Sequence, residues 1–384
     1  MQAKNLPLHI DEIPTPALLL DAKILERNLV MMQNKISALG SSLRPHIKTH
    51  KCIEIGRQQQ KLGAKGITVS TFYEAQEFAR AGFDDITWAF PLPPVYARRA
   101  VDLSNEITFR VVVDSREAVE SFRNASRDSK KSLHVWLKVD CGYHRAGVDP
   151  GSPLAEELIR SLADSKQLHF DGILSHSGHA YHGSSRTEIL KVANQERDVM
   201  VGFAERMRKE GYFVPVVSIG STPSMSVIED LAGISEVRPG NYCFYDRTMV
   251  ELGVCSPGDC ALSVLASVIS HQPGASHFVV DAGALALSKD IGKTSSLEHP
   301  DMGSIYEDYD HKSMQEDLVL ETLSQEHGKV IAGSPSEIEG RFKVGDRVRI
   351  LENHSCLTVA HFDEYYVLRG GEVIDRWKVL RGRV

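Results

Sequence analysis

Apolar strand-like runs alternate with helix-like segments through roughly the first two thirds of the chain. The runs are short and rich in Val, Ile and Leu, as in Phe109–Val113, Val135–Val139 and Val216–Ile219. Strands of this composition, each followed by a helix, predict a parallel sheet covered on both faces. Counted from Leu18, about eight such strands occupy about 230 residues, which suits a (β/α)8 barrel of the TIM type. The sequence therefore predicts an α/β fold with this barrel at residues 15–250.

The pattern changes near residue 250, where short strand patterns broken by Gly, Pro and Asp replace the alternation. These patterns are Leu262–Ser270, Phe278–Asp281, Lys329–Ala332, Arg347–Leu351, Tyr365–Leu368 and Arg376–Val379. They predict an all-β carboxyl-terminal domain at residues 251–384, joined by residues 1–14. A polar stretch inside it, Ser288–Glu316, is predicted to be a long surface or interface loop.

Composition and charge exclude several classes of protein. A chain of 384 residues is long enough for two domains. The net charge is −7 and no basic stripe is present, so nucleic acid is not expected as a partner. No stretch approaches the roughly 20 apolar residues that cross a bilayer, and we expect no signal peptide in the polar segment Met1–Ile13. Six scattered cysteines fit the reduced thiols of a cytoplasmic protein.

The stretch Arg44–Lys51, after the first predicted helix, is dense in ionisable groups. Pro45 ends that helix and favours extended backbone before it. In an extended segment His46, Lys48 and His50 would share one face. A lysine between two imidazoles, or a buried lysine, has a pKa lowered toward the nucleophilic range. The stretch is therefore either a nucleophilic site at Lys48 or a solvated basic loop.

Two further loops follow neighbouring predicted strands. Ser218–Ser224 contains Gly220, Ser221 and Thr222 and enters a helix. Small residues let backbone amides approach closely, and a helix amino end favours an anion. Arg238–Asn241 follows the next strand, and phosphate sites after the last two strands recur in such barrels. Either loop alone fits an ordinary tight turn, but together they favour a phosphate site.

Other polar groups also follow predicted strands, where barrel enzymes place their chemistry. Lys138–Arg145 leaves its strand through Gly142 and presents Arg145, an always-charged donor that suits an oxyanion or a surface ion pair. Three histidines then recur at a spacing of three around Tyr181, a spacing that is loose for a metal site. They are His176, His179 and His182.

In the predicted β domain, Asn353-His354-Ser-Cys356 follows the strand Arg347–Leu351. In extended backbone, His-x-Cys places both side chains on one face, where they could chelate a cation such as Zn²⁺. Two protein ligands leave positions open for water and substrate, as a catalytic metal requires. The alternative is a buried cysteine beside a hydrogen-bonded histidine.

Together these motifs resemble the fold-type III pyridoxal-phosphate enzymes, the alanine racemase-like group, and most of all their D-serine dehydratase and D-threonine aldolase branch. Arg-Pro-His-Ile-Lys-Thr-His-Lys is similar to the cofactor-lysine motif of that branch, which implies that Lys48 forms the Schiff base. The resemblance implies that Arg145 lies near the phenolic oxygen of the cofactor, and that Arg238 or Tyr181 faces the pyridine nitrogen. The residues that match the phosphate loops of the group are Gly220, Ser221, Thr222, Gly240 and Asn241.

The resemblance also implies a reaction. The His354 and Cys356 pair is similar to that of zinc dehydratases, so Zn²⁺ is expected there, with Mn²⁺ or Mg²⁺ as alternatives. A metal on the β-hydroxyl and α-proton removal by Lys48 would dehydrate a D-3-hydroxy amino acid to a 2-oxo acid and ammonia. D-Serine and D-threo-3-hydroxyaspartate are the expected types of substrate. The alternative is aldolase-type cleavage to glycine and an aldehyde, with His354 or His179 as the base.

Three further functions are weighed against this one. A racemase is disfavoured because Val279–Leu287 contains no tyrosine for the opposite face of the substrate. Non-catalytic pyridoxal-phosphate proteins of this fold resemble a bare barrel, whereas this chain has a β domain. A metal hydrolase on a barrel without an organic cofactor stays open. The resemblance further implies a homodimer with active sites at the subunit interface.

Overall fold

The computed structural model of the chain describes residues 9–292 and 301–383. They form two compact units. The barrel unit contains Val30–Lys48, Ile53–Gly240, Gly382 and Arg383, and the β unit contains the described residues up to Leu29, Thr49–Cys52 and Asn241–Arg381. The domain limits 15–250 and 251–384 stay a prediction, because compact units need not coincide with domains that fold alone. No described helix combines the length and apolar composition needed to cross a bilayer.

Eight strands of the described chain form one parallel sheet. The chain first passes through β1 (Ala17–Asp21) and α1 (Ala22–Ala38). The barrel strands follow as β2 (Ser42–Leu43), β3 (Ile67–Val69), β4 (Asp85–Pro91), β5 (Thr108–Val113), β6 (Leu133–Lys138), β7 (Leu168–Leu174), β8 (Val216–Ile219) and β9 (Glu236–Val237). Their order is β2-β9-β8-β7-β6-β5-β4-β3, and a parallel bridge between His46 and Thr68 joins its two ends. The sheet is therefore closed, as a TIM-type barrel requires.

Helices follow these strands, and several helices begin directly after a residue that caps their amino end. The helices are α2 (Ile53–Leu62), α3 (Phe72–Arg80), α4 (Ala97–Glu106), α5 (Arg116–Ala125), α6 (Pro153–Ala163), α7 (Arg186–Lys209) and α8 (Thr222–Val227). Thr71 and Glu74 form a capping box at α3, and Ser115, Ser152 and Ser185 accept backbone amides at the starts of α5, α6 and α7.

Apolar side chains fill the middle of the barrel. Val112, Trp136 and Leu174, from three neighbouring strands, are buried together, and Val216 packs against them. A packed centre of this kind is a core and not a channel. Polar chemistry is therefore confined to the two ends of the barrel strands.

The β unit contains a mainly antiparallel ten-stranded sheet. Besides β1, its strands are β10 (Leu262–His271), β11 (His277–Val280), β12 (Gly303–Asp308), β13 (Ser313–Met314), β14 (Leu318–Leu323), β15 (Gly328–Ala332), β16 (Arg347–Glu352), β17 (Glu364–Arg369) and β18 (Glu372–Lys378). Its helices include α9 (Arg247–Glu251), α10 (Ala284–Leu287) and α11 (Ser355–His361). The predicted fold class, a TIM-type barrel and an all-β domain, is confirmed.

Two local predictions were wrong. The first apolar strand, Ala17–Asp21, pairs with β10 and β17 in the β unit, and the first barrel strand is Ser42–Leu43. An apolar run shows that a strand is buried but not which sheet buries it. The predicted loop at 288–316 contains β12 and β13, whose short polar strands lack a clear apolar alternation.

The backbone conformation at position 172, in β7, requires a glycine. Its φ is 138°, and a Cβ built there would meet the carbonyl oxygen of Val216 at 2.1 Å. Gly172→Ala is therefore expected to destabilise the chain by at least about 2 kcal/mol, measured by denaturant unfolding. Gly202→Ala, on α7 with open space around its Cβ, is the control and should be neutral or stabilising. Equal unfolding midpoints for the two variants would contradict this account of β7.

Candidate active site

Polar side chains meet at the carboxyl ends of the barrel strands. Lys48 follows β2, Lys138 ends β6, Gly220 follows β8 and Arg238 follows β9. A short 3-10 helix, Gly178–His182, follows β7. Because the strands are parallel and the sheet is closed, these ends share one rim. The fold thus brings the separate sequence motifs of the barrel to one place.

The segment that carries Lys48 differs from its prediction. Its first part is extended, and the amide of His46 donates to the carbonyl of Pro239 at 3.0 Å. Residues 47–50 then form a turn, in which the amide of Lys48 donates to Nδ1 of His46 at 3.3 Å. The turn removes the alternation that would place His46, Lys48 and His50 on one face, so that interpretation was wrong. Lys48 is exposed at the rim.

Positive charge gathers at this rim. Burial, together with the charge of Arg238, lowers the pKa of Lys138 to about 7. Burial and the charges of Lys138, Lys48 and Arg145 lower the pKa of His176 well below its ordinary value, so this imidazole is neutral. Burial also lowers the pKa of Arg238. Such an excess of positive charge suits an anionic ligand.

The hydrogen bond of His176 fixes its tautomer. Its Nδ1 lies 3.3 Å from the carbonyl oxygen of Gly220. A carbonyl can accept but not donate, so Nδ1 carries the proton and Nε2 presents a lone pair. His176 is therefore a neutral side chain with one defined acceptor.

The buried carboxylate of Glu236, in β9, lies near Arg238. A second buried carboxylate, Glu196 on α7, lies among these cations. It accepts hydrogen bonds from the hydroxyls of Ser175 at 2.7 Å and Ser177 at 2.6 Å, and from the amide of Gly220 at 3.3 Å. Glu196 therefore ties α7 to the loops after β7 and β8. It also offsets part of the positive charge at the rim.

The loop after β8 has the expected compact geometry. Gly220 has a φ of 110°, and Ser221 forms a capping box with Ser224 at the start of α8. The amide of Ser221 donates to Oγ of Ser224 at 2.9 Å, and that of Gly220 donates to Glu196. These two amides already have partners in the chain. The phosphate roles of the loop residues stay predictions.

The guanidinium of Arg238 turns toward the barrel strands. Its two terminal nitrogens donate to Oγ of Ser218 and to the carbonyl of Ser175. The assignments of Arg238 and Tyr181 to the pyridine nitrogen both stay predictions.

Arg145 and the three histidines surround one aromatic ring. The guanidinium carbon of Arg145 lies 4.9 Å from the ring centre of Tyr143. His179 stacks on Tyr143 at 5.8 Å, and His176 and His182 meet it edge-on at 6.4 and 6.3 Å. In the described part of the chain these histidines are not among the side chains that converge as metal donors. All three rings contact the ring of Tyr143.

His354 and Cys356 lie in the β unit at the start of α11. His354 caps the helix in extended conformation, and Cys356 is in the first turn. The prediction of an extended His-x-Cys strand was wrong, because the helix begins at Ser355, whose amide donates to the buried carboxylate of Asp246 at 3.0 Å. A hydrogen bond nevertheless joins the side chains of His354 and Cys356. Asn241, another predicted site residue, donates to Asp246 at 2.6 Å and to Ser355 at 3.0 Å.

The environment of His354 suits a cation. Its Nδ1 donates to Oδ2 of Asp290 at 2.5 Å. The other ring nitrogen, Nε2, is therefore the one that contacts Cys356, and it is the nitrogen that would bind a metal. Burial opposes a charge on His354, but its hydrogen bonds with Asp290 and Cys356 outweigh burial and raise its pKa to about 11. Oγ1 of Thr49 lies 3.1 Å from Sγ of Cys356. The group therefore stabilises positive charge, which a divalent ion would supply.

Known proteins match the chain along nearly its whole length. The profile of the alanine racemase N-terminal domain matches residues 20–248, and that of a putative serine dehydratase domain matches residues 261–368. D-threo-3-hydroxyaspartate dehydratase of Delftia sp. (strain HT23) is 36% identical over 375 residues, which is 96% of this chain and 98% of that protein. The chain belongs to the alanine racemase-like family of fold-type III pyridoxal-phosphate enzymes.

Other members of this family extend the comparison. D-serine dehydratase of Dictyostelium discoideum is 35% identical over 391 residues, covering 96% of this chain and 97% of that protein. The solved structure of the Delftia dehydratase covers 98% of this chain and 100% of its own, with a TM-score of 0.92. D-threonine aldolase of Arthrobacter sp. is 26% identical over 370 residues, covering 96% and 92%. These relatives are dehydratases and aldolases, so the predicted family and its class, the lyases, are confirmed.

Sequence reasoning missed several residues of this site. The sequence does not indicate that Glu196 is buried at the site, because a glutamate on a long helix is usually exposed. Asp290 was placed in a loop, and its contact with His354 joins residues 64 positions apart. Lys138 was quoted within a motif but not as a buried charge. His176 was considered only as a metal ligand.

Lys138 gives a prediction about stability. Lysine titrates near 10.5 in the unfolded chain but at about 7 when buried here. Between those pH values the unfolded state binds more protons, so the contribution of Lys138 to stability rises with pH. Lys138→Met is therefore expected to stabilise the cofactor-free protein at pH 6 by up to a few kcal/mol. Its stability should also rise less than that of the wild type from pH 7 to pH 10.

Denaturant unfolding at several pH values measures this difference. Lys191→Met, at an exposed position on α7, is the control and should follow the wild-type pH profile. Parallel profiles for Lys138→Met and the wild type would contradict the burial of a cation at this rim.

Proposed function

We propose that the protein is a pyridoxal-phosphate- and metal-dependent lyase. It dehydrates a D-3-hydroxy amino acid, of the D-serine or D-threo-3-hydroxyaspartate type, to a 2-oxo acid and ammonia. The observation that carries the proposal is the His354–Cys356 pair with Asp290, in a chain whose barrel rim holds Lys48 among buried cations. The names of the most similar relatives support this reaction class.

The positive charge of the residues at the barrel rim suits the anionic groups of the cofactor. Lys48, Lys138, Arg145 and Arg238 outnumber the two buried carboxylates, Glu196 and Glu236, that lie near them. The phosphate and phenolic oxygen of the cofactor are anionic groups of the kind this excess would bind. When bound, pyridoxal phosphate supplies an electron sink for negative charge at Cα of the substrate.

Lys48 has two roles in the proposal. Its amine would hold the cofactor, and the same amine, when free, would take the α-proton of the substrate. The exposure of Lys48 on a turn lets it change partner in this way. His176, kept neutral by burial and by its cationic neighbours, adds no further positive charge beside Lys48.

His354 and Cys356 are proposed to hold the metal. A thiolate with an imidazole is a soft to borderline donor pair, which favours Zn²⁺ over Mn²⁺ or Mg²⁺. Asp290 orients the ring of His354 by its hydrogen bond to Nδ1. A solved D-threo-3-hydroxyaspartate dehydratase with a cysteine changed to alanine is in a metal-free form, which supports a thiolate ligand. When bound, the metal polarises the β-hydroxyl of the substrate as a Lewis acid.

The proposed reaction balances without an added oxidant or reductant. The Cα–H bond would break and its proton would pass to Lys48, while the Cβ–O bond would break and the hydroxyl would take up a proton and leave as water, so that the substrate loses one H⁺ and one OH⁻ in all. A double bond forms between Cα and Cβ. The released enamine tautomerises and takes up one water molecule to give the 2-oxo acid and ammonia.

Retro-aldol cleavage is the second candidate, because aldolases of D-threonine and 3-hydroxy-D-aspartate are also relatives. Cleavage needs a base for the β-hydroxyl proton. Both ring nitrogens of His179 are buried without a hydrogen-bond partner among the described residues, so His179 could serve. The homodimer with interfacial active sites belongs to the proposal through the family resemblance, and the cytoplasmic location through the scattered cysteines.

Product analysis tests the proposed function. The protein loaded with pyridoxal phosphate and Zn²⁺ is incubated with D-serine, D-threonine and D-threo-3-hydroxyaspartate. We expect a 2-oxo acid and ammonia, and no reaction with the L-isomers. Cys356→Ala is expected to lower turnover by at least about 100-fold, with the lysine-linked cofactor absorbance kept.

Cys255→Ala is the matched control, because it removes a thiol from another part of the β unit, and it should keep wild-type turnover. Glycine and an aldehyde as products would establish the aldolase candidate instead. Full activity after removal of divalent ions with a chelator would refute the role of the metal.

A further inference from the structure

Two histidines face each other at the amino-terminal ends of two barrel strands. His134 is the second residue of β6 and His169 is the second residue of β7, and they are register partners in the sheet. Their ring centroids lie 4.7 Å apart. Asp171 lies at a β-bulge, because Val135 pairs with Phe170 and Trp136 pairs with Gly172. The bulge leaves Asp171 as the extra residue beside the two imidazoles.

One oxygen of Asp171 is shared by both rings. Its Oδ1 lies 2.8 Å from Nδ1 of His134 and 3.4 Å from Nε2 of His169. The three donor atoms lie within 4.8 Å of one another. Donors bonded to Zn²⁺ at about 2.0–2.2 Å in a tetrahedral site stand about 3.4 Å apart. Oδ1 of Asp171 already stands at that distance from Nε2 of His169, and its distance to Nδ1 of His134 would lengthen by about half an ångström.

We propose that His134, His169 and Asp171 form a second divalent-metal site, for Zn²⁺ or a similar borderline cation, at the amino-terminal end of the barrel. It is distinct from the proposed site at His354 and Cys356. Among residues 9–292 and 301–383, this is the set of three His, Cys, Asp or Glu side chains whose donor atoms converge.

The surroundings keep Asp171 ready to act as a ligand. Burial opposes its ionisation, but the hydrogen bond from His134 and the charge of Arg110 outweigh burial and lower its pKa. Arg110 donates to Oδ2, which leaves Oδ1 to face the imidazoles. Arg110 also donates to Asp85, and this second carboxylate offsets the repulsion that a cation would meet from the guanidinium.

The donor set also selects the kind of ion. Two imidazoles and a carboxylate suit Zn²⁺, Co²⁺ or Ni²⁺ better than the hard ions Mg²⁺ or Ca²⁺. The side chains of His134 and His169 are 31% and 60% exposed, so water can complete the coordination. A cation here would link β6 to β7 and stabilise the barrel.

This site is separate from the proposed chemistry of the barrel rim. Lys138 lies four residues further along β6 than His134, which is about 13 Å at the rise of a strand. A metal bound by His134 and His169 would therefore not reach the substrate. Its loss should leave turnover unchanged.

Counting Co²⁺ bound to the protein loaded with pyridoxal phosphate tests the proposal. Equilibrium dialysis of the wild type and of His169→Ala should differ by one equivalent of Co²⁺ per chain. The same loss is expected when the comparison is made in the Cys356→Ala background, so a failure of the proposed catalytic metal site does not affect the result. The ion lost with His169 should lack the sulfur-to-cobalt charge-transfer band of a thiolate ligand.

His311→Ala is the matched control. His311 is exposed and forms a similar pair with Asp308 at 2.7 Å, and it belongs to no convergent set of three donors among the described residues. It should keep every equivalent of Co²⁺. Equal Co²⁺ content in the wild type and in His169→Ala would overturn the proposal, and so would an equal loss in His311→Ala. His169→Gln, which keeps the polarity of the position, should lose the ion as His169→Ala does.

Discussion

The proposed site depends on an excess of positive charge at the carboxyl ends of the barrel strands. Buried carboxylates offset only part of this charge. Removing a charge from water costs several kcal/mol unless a partner offsets it. Glu196 and Glu236 offset part of this charge, and burial, with the charge of Arg238, lowers the pKa of Lys138 to about 7. An anionic cofactor would supply further negative charge. Burial, together with the charges of Lys138, Lys48 and Arg145, keeps His176 neutral.

The other end of the same barrel is balanced by its own side chains. Arg44 donates to Glu236 at 2.6 Å and also pairs with Asp85, and Arg110 joins Asp85 to Asp171. Each guanidinium therefore has two carboxylates, and no anion is needed there. Charge imbalance separates a binding end from a structural end, in agreement with the usual division of labour in TIM-type barrels. The proposed cation at His134 and His169 fits that division, because it would stabilise and not react.

The sequence carries the motifs of this site but not their geometry. Lys48 is recognisable because its motif is local, whereas the turn around it also depends on contacts with distant residues, such as the hydrogen bond from the amide of Ile47 to the carbonyl of Thr68. The His354–Cys356 pair is visible as spacing, but the start of its helix depends on Asp246, 109 positions away. Asp290 and Glu196 have no local signature, because their roles arise from tertiary contacts. The apolar run of β1 likewise predicts a strand without naming its sheet.

Peptide mapping of the reduced protein tests most directly whether this rim holds the cofactor. The protein loaded with pyridoxal phosphate is treated with borohydride, which fixes the cofactor to the amine that carries it, and is then digested for mass spectrometry. The account predicts the pyridoxyl group on Lys48. A pyridoxyl group found on Lys51 or Lys138, with Lys48 unmodified, would contradict it.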